Sequence, residues 1–402
     1  MNSFLFIWRN ASYKPLAALF QIVLLAIGVA LILTLSHVGA QIDARMQKEL
    51  KGIDLVVSGK GSPLQIILSA VFHIDFPTGN IPASEAEALA KNPLVKAAIP
   101  LALGDNYNGF RITGTRASYV ARYGAVLAQG QMFAAPMEVV LGSDVARAFA
   151  VKIGDKIVGA HGLVNSDDLH TDSPYAVVGI LQPTGSVLDR LVLTPIESVW
   201  HVHEHPDEDD PEEVSYKKEH PENEITALLI SYRTPLAAAQ LPRLVDKSSS
   251  MMAASPAFEV ARLNKIFGVG RDVIGYFGYG MLVLAGAGFF ITILQATEQR
   301  RYDIVLLRVM GCSRGRVIGL LVGEAALLGA IGAVAGFILS QGADQVIHQM
   351  ILNQKHIALD PAGMSPLDWG VIFGAIVLSV LAGLLPALRA GKLDIAQTLA
   401  RG

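Results

Sequence analysis

Cysteine and charge are both scarce in this chain. Cys312 stands alone among 402 residues, so no disulfide can close within the chain and any domain outside the membrane must hold together on its buried core. Charged residues make up 17%, against about a quarter in soluble domains. The net charge of −3 offers no basic surplus for a nucleic-acid surface. A nucleotide cradle is missing too. GxxxxGK[ST] does not occur, because Gly59-Lys60 and Gly391-Lys392 lack the upstream glycine and the following Ser or Thr that such a loop needs. H-E-x-x-H and CxxC are likewise absent.

What the chain has in excess is apolar sequence, 52% of it, gathered in a few segments. Residues 16–35 run without a charge, interrupted only by Gln21 and Thr34; about 20 residues at about 1.5 Å each cross the ~30 Å hydrocarbon layer. Val38-Gly39-Ala40 loosely resembles a signal cleavage site, but the run exceeds the about 7–15 residues of a signal h-region, so a retained span is expected. Three further runs cover 274–294, 317–339 and 369–388. The expected fold class is an integral membrane α-helical protein of four transmembrane helices, with a large mixed α/β domain between helices 1 and 2. By residue number the parts are a cytoplasmic amphipathic lead (1–15), spans at 16–40, 273–297, 317–340 and 369–388, the external domain (41–272), a cytoplasmic segment (298–316), an external loop (341–368) and a cytoplasmic tail (389–402). Orientation follows from the basic residues. Arg9 and Lys14 precede the first span, Arg300, Arg301, Arg308, Arg314 and Arg316 follow the second, and Arg389, Lys392 and Arg401 follow the fourth. All three segments therefore face the cytoplasm.

The 41–272 interval contains no run able to span a bilayer. Ile42, Met46 and Leu50 share a face of an opening helix, and 258–267 forms a closing one; the two are read as a stalk. Between them the pattern predicts strands near 53–57, 95–99, 110–113, 139–141, 156–158, 175–181, 191–193 and 225–232. Ser84 with Glu87 has the spacing of a capping box, and Ser143 is placed to cap a second helix. In the third span, Gly329, Gly332 and Gly336 form a stripe for close helix approach, either within the subunit or between two subunits. Glu324 lies about 10 Å inside that span; an intramembrane carboxylate there is a functional candidate or a structural hydrogen-bonding group.

Two stretches carry candidate chemistry. Residues 298–316, EQRRYDIVLLRVMGCSRGR, repeat Ile304, Leu307 and Met310 at near-helical spacing among five arginines. They read either as an amphipathic helix offered to another protein or as a positive loop that only fixes topology. In residues 200–213, His201, His203 and His205 would point the same way along an extended chain, and with Asp207 could hold zinc. The same stretch also reads as a solvated acidic loop.

The segment Arg300-Arg301-Tyr302-Asp303-Ile304 through Leu307-Arg308-Val309-Met310-Gly311-Cys312-Ser313 resembles the R-x-x-E-I-x-x-L-R-A-x-G-x-S signature of the FtsX-like permease superfamily, the membrane subunits of MacB-type (type VII) ABC systems. Asp303 stands where Glu is usual and Val309 where Ala is. Pro386-Ala387-Leu388-Arg389-Ala390 through Leu393-Asp394 and Leu399 is similar to the closing pattern of that family, with Ile395 where Pro is common. Glu138 to Gly142, Gly154 to Ile157 and Val177 to Leu181 look like phrases of its periplasmic domain. The resemblance implies a multi-pass protein of a bacterial inner membrane, its large domain in the periplasm, with no catalysis of its own. A separate cytoplasmic ABC ATPase would bind ATP and magnesium, two copies would pair as a homodimer, and a periplasmic adaptor is a further partner it allows. Arg300, Arg301, Tyr302, Asp303, Ile304, Leu307, Arg308, Met310, Gly311 and Ser313 would form the coupling helix that seats in the ATPase, so that nucleotide-driven motion reaches the periplasmic domain. The alternative is a membrane-anchored regulator or metal sensor acting on a periplasmic partner through the His/acidic loop.

Overall fold

The computed structural model describes residues 15–162, 170–203, 223–247, 250–299, 301–355 and 364–392, apart from the side chains of 296, 301, 303, 307 and 352–355. The chain divides into two compact units: one of residues 1–42, 266–354 and 359–402, the other of 43–265 with 355–358.

In chain order, helix α1 (Pro15–Leu50) leads into β1 (Leu55–Gly59), α2 (Pro63–Ala70), β2 (Ile81–Pro82), α3 (Ala83–Ala90), β3 (Val95–Tyr107), β4 (Phe110–Thr115) and α4 (Ala117–Arg122). There follow β5 (Leu127–Gly130), β6 (Glu138–Leu141), α5 (Ser143–Phe149), β7 (Lys156–Ile157), β8 (Ala160–His161), β9 (Tyr175–Leu181) and β10 (Leu191–Pro195). The unit closes with α6 (Ile196–Val202), β11 (Glu224–Ile225), β12 (Ala227–Tyr232), α7 (Pro235–Asp246) and β13 (Met251–Ala254).

The main sheet runs β13-β1-β12-β3-β4-β10-β6-β9-β5, with β7 paired to β9 and β8 to β3. Its longest strand, β3, turns into β4 through Asn108 and Gly109, with Tyr107 opposite Phe110. Both turn residues have positive φ, 48° and 86°, which the tight hairpin turn demands and Asn-Gly supplies. One side of the sheet buries Ile99, Leu101, Leu193 and Leu229 with α2 and Tyr119; the other buries Leu55, Leu228 and Ile230 with Leu89 and Leu241. Most predicted strands are present. The helix starts differ from those expected: α3 and α5 have Pro82 and Gly142 at their N-caps, so Ser84 and Ser143 lie inside the first turn rather than at the cap.

The other unit contains four helices long and apolar enough to cross a membrane: α1, α8 (Pro256–Gln299), α10 (Arg314–Lys355) and α11 (Pro366–Gly391); the short α9 (Arg301–Val309) lies between α8 and α10. Leu25, Val29 and Leu33 of α1 pack with Phe289 and Ile293 of α8, Leu328 of α10 and Ala375 of α11. The glycine stripe meets its own chain. A Cβ at Gly332 would lie 2.9 Å from Leu25, one at Gly336 2.7 Å from Val29, and one at Gly329 2.6 Å from the Ser379 hydroxyl.

The expected stalk helices are continuous with their spans in α1 and α8, and residues 341–355, expected as loop, continue α10. No proline interrupts that stretch, and its Asp344 is matched: His37 of α1, 4% exposed, lies with Nδ1 2.7 Å from Asp344 and Nε2 2.8 Å from Asp368 of α11. Asp368 is itself fixed by a capping box with Ser365.

Candidate functional site

Two places in the structure present organised polar or apolar chemistry. The first is α9. Gly311, with φ of 95°, stops the helix after one further turn, and its N–H donates to the Arg308 carbonyl at 3.1 Å. Ser313 then starts α10, its carbonyl accepting from Arg316 and Val317. The segment therefore holds the last residues of α8, a nine-residue helix, a turn and the start of α10, rather than one helix. The exposed apolar face also differs from the expected one. Ile304 and Val305 are buried, at 7% and 0%. Tyr302, Leu306, Val309 and Met310 are exposed, at 51%, 43%, 59% and 69%. That spacing (i, i+4, i+7, i+8) is one stripe of a helix. Arg314 and Arg316 are exposed nearby, and Arg308 is half-buried. The side chains of Arg301, Asp303 and Leu307, and all of Arg300, lie outside the described residues. Gly311-Cys312-Ser313-Arg314-Gly315 has the G-x-S-x-G spacing of a hydrolase elbow, but it joins two helices rather than a strand and a helix, and the Ser313 hydroxyl accepts from the Arg316 N–H at 3.4 Å as a helix cap. Glu324 is half-buried in α10.

The second place lies on β3. Asp105 is 1% exposed, and neither of its carboxylate oxygens receives a hydrogen bond. Its neighbour Asn106 pins the β8 segment, donating to the carbonyls of Ala160 at 3.3 Å and Gly162 at 2.9 Å. This puts His161 opposite Asp105 in the ladder. The His170 N–H donates to the Gly159 carbonyl at 2.9 Å, which brings His170 to the same spot. The third histidine is His203, just past the end of α6. Its Nδ1 donates to the Val199 carbonyl at 2.9 Å, which leaves Nε2 as the ring's lone-pair nitrogen. His161 Nδ1, His170 Nε2 and His203 Nε2 lie 3.7, 3.6 and 3.6 Å from the one Asp105 oxygen, Oδ1. The ring centroids form a triangle with sides of 5.8, 5.5 and 5.5 Å. Burial, and then the Asp105 charge, push the Tyr175 phenol above its ordinary range.

Of the two described residues expected to ligate metal, His201 and His203, the cluster includes His203. At 201–203 the expected extended geometry is replaced by the end of α6, so His201 sits exposed on a helix and does not share a direction with His203. His205 and Asp207 lie outside the described residues. Asp105, His161 and His170 went unnoticed in the sequence. The available signal was a lone carboxylate inside the otherwise apolar strand Leu101-Ala102-Leu103-Gly104-Asp105.

Four membrane-length helices, an α/β unit between the first two and a short, partly exposed helix between the second and third are matched by two family profiles of transporter permeases. The family profile "FtsX-like permease C-terminal" matches residues 275–395, and "MacB-like periplasmic core domain" matches 19–243. The lipoprotein-releasing system transmembrane protein LolE of Haemophilus influenzae is 26% identical over 99% of both chains. The macrolide export ATP-binding/permease protein MacB of Nitrobacter winogradskyi is 27% identical over 30% of this chain and 18% of its own. The solved periplasmic region of MacB from Actinobacillus actinomycetemcomitans aligns with 54% of this chain and 95% of that one, at 13% identity and a TM-score of 0.35. The chain belongs to the FtsX-like, MacB-type ABC transporter permeases.

Proposed function

We propose that this protein is the membrane subunit of a bacterial inner-membrane ABC system in which a separate cytoplasmic ATPase supplies the motion and the periplasmic domain performs the work of exporting or extracting a substrate. The observation that carries this reading is the exposed stripe Tyr302-Leu306-Val309-Met310 on α9, edged by Arg314 and Arg316. A short apolar face on a helix of fixed orientation supplies contact area, and the arginines supply register and steering. The absence of a phosphate-binding loop from the chain supports placing hydrolysis on the partner. A relative that matches from end to end is named for releasing lipoproteins and a partial one for exporting a macrolide, names that fit extraction or export as the work. On this reading two copies pair as a homodimer, each seating one ATPase.

The test is Leu306→Asp with Val309→Asp, both on the exposed stripe. The pair removes ATPase co-purification and the stimulation of hydrolysis by the membrane subunit at least about tenfold, as loss of central interface anchors does, while the folded chain still inserts. Unchanged docking and unchanged stimulation would remove the proposed contact.

A further inference from the structure

Around the Asp105 carboxylate the structure sets three imidazole nitrogens, and among the described residues no group donates a hydrogen bond to it. We propose that Asp105, His161, His170 and His203 bind one zinc ion in the external unit, a site that does not depend on the transporter reading. An ionised carboxylate at 1% exposure, with both oxygens lacking a donor, is costly unless a cation faces it. The histidines do not remove that cost as hydrogen-bond donors, since 3.6–3.7 Å to Oδ1 is beyond hydrogen-bond range. It is close to the separation of two ligands on one tetrahedral ion, about 3.3 Å for bonds of about 2.0–2.1 Å. All four donor atoms lie within 4.8 Å of one another.

The surroundings hold the donors in place. The His203 Nδ1–H to the Val199 carbonyl fixes the tautomer that turns a lone pair inward, an outer-shell bond typical of ligating histidines. Ladder pairing holds His161 opposite Asp105, and the His170 main chain is tied to Gly159. Ligands thus come from β3, β8, the loop after it and the end of α6, so that one ion would cross-link four segments. Three nitrogens and one oxygen suit a borderline ion with tetrahedral preference. They do not suit magnesium or calcium, which take shells of oxygen. His161, with 52% of its side chain exposed, gives the ion a route in from solvent.

The experiment uses the full chain in detergent, stripped of metal and titrated with zinc against a chromophoric chelator, with thermal unfolding followed in parallel. One equivalent is expected, with a rise in melting temperature that magnesium does not reproduce. His161→Ala, a replacement at an exposed position, and the His161→Ala/His170→Ala pair lower zinc affinity at least about tenfold and abolish the thermal shift, whereas His201→Ala leaves both unchanged. Cobalt in the same site gives the intense visible bands of four-coordinate geometry, lost in His161→Ala. Zinc affinity and thermal shift unaltered in the His161→Ala/His170→Ala pair would overturn the proposal, as would a magnesium shift equal to that of zinc or the weak bands of six-coordinate cobalt.

Discussion

His73 is 6% exposed, and its Nε2 lies 3.0 Å from the Tyr119 hydroxyl. Burial, and then the charges of Arg111 and Arg190, hold its pKa well below the ordinary histidine value. The folded protein therefore keeps it neutral, while in the unfolded chain it titrates near 6.5. A depressed histidine contributes stability that is complete above the unfolded value and is lost as pH falls below it, at up to about 1.4 kcal/mol per pH unit. Melting temperature should accordingly fall more steeply between pH 7.5 and 5.5 in the wild type than in His73→Asn, a replacement that tolerates the local φ of 51°; equal slopes would show that His73 does not carry the effect. Single residues of this kind were the least readable part of the sequence. His203 stood out beside other histidines, but its partners come from strands and loops far away in the chain. Only the pairing of β8 with β3 brings them together, and no local pattern announces a pairing of two residues.

Among the elements, strands were readable where burial alternates or is continuous. β9 alternates buried and half-buried along all seven residues, the period-two signature that the apolar residues spell out. Helix faces were harder. In α9 apolar residues occur on both sides, so Ile304 with Leu307 and Met310 and Tyr302 with Leu306 and Val309 are equally good stripes by spacing; only burial of Ile304 and Val305 selects the second. The extension of α10 was hidden because Asp344 looks like loop composition until His37 is placed beside it. Packing between α1 and α10 gives a direct test. Gly336→Val puts atoms where the Ala26 carbonyl and Val29 already stand, 2.7 Å from its Cβ. Overpacking of this kind costs about 1–3 kcal/mol, seen as a lower melting temperature in detergent; Gly342→Val, with open space at its Cβ, should leave it unchanged.

At the scale of the whole molecule, the apolar runs were enough to place the four helices of membrane-spanning length, because a span must be long, apolar and internally hydrogen-bonded. Whether the glycine stripe packs within the chain or between copies was left open by its spacing, and the structure places it within the chain. Gly329, Gly332 and Gly336 are already occupied by α1 and α11 of the same chain. On the outer side of α8, Tyr276, Phe277 and Leu284 are 71%, 69% and 58% exposed. With Cys312→Ser as background, a cysteine at Phe277 should cross-link two copies in membranes, while one at buried Ala333 should not; a chain that stays monomeric with both would exclude pairing through α8.

The seam of small residues is thus closed off from the outside. A second copy would have to meet the bundle elsewhere, at Tyr276, Phe277 and Leu284 on α8 or at the open glycines Gly370 and Gly374 on α11.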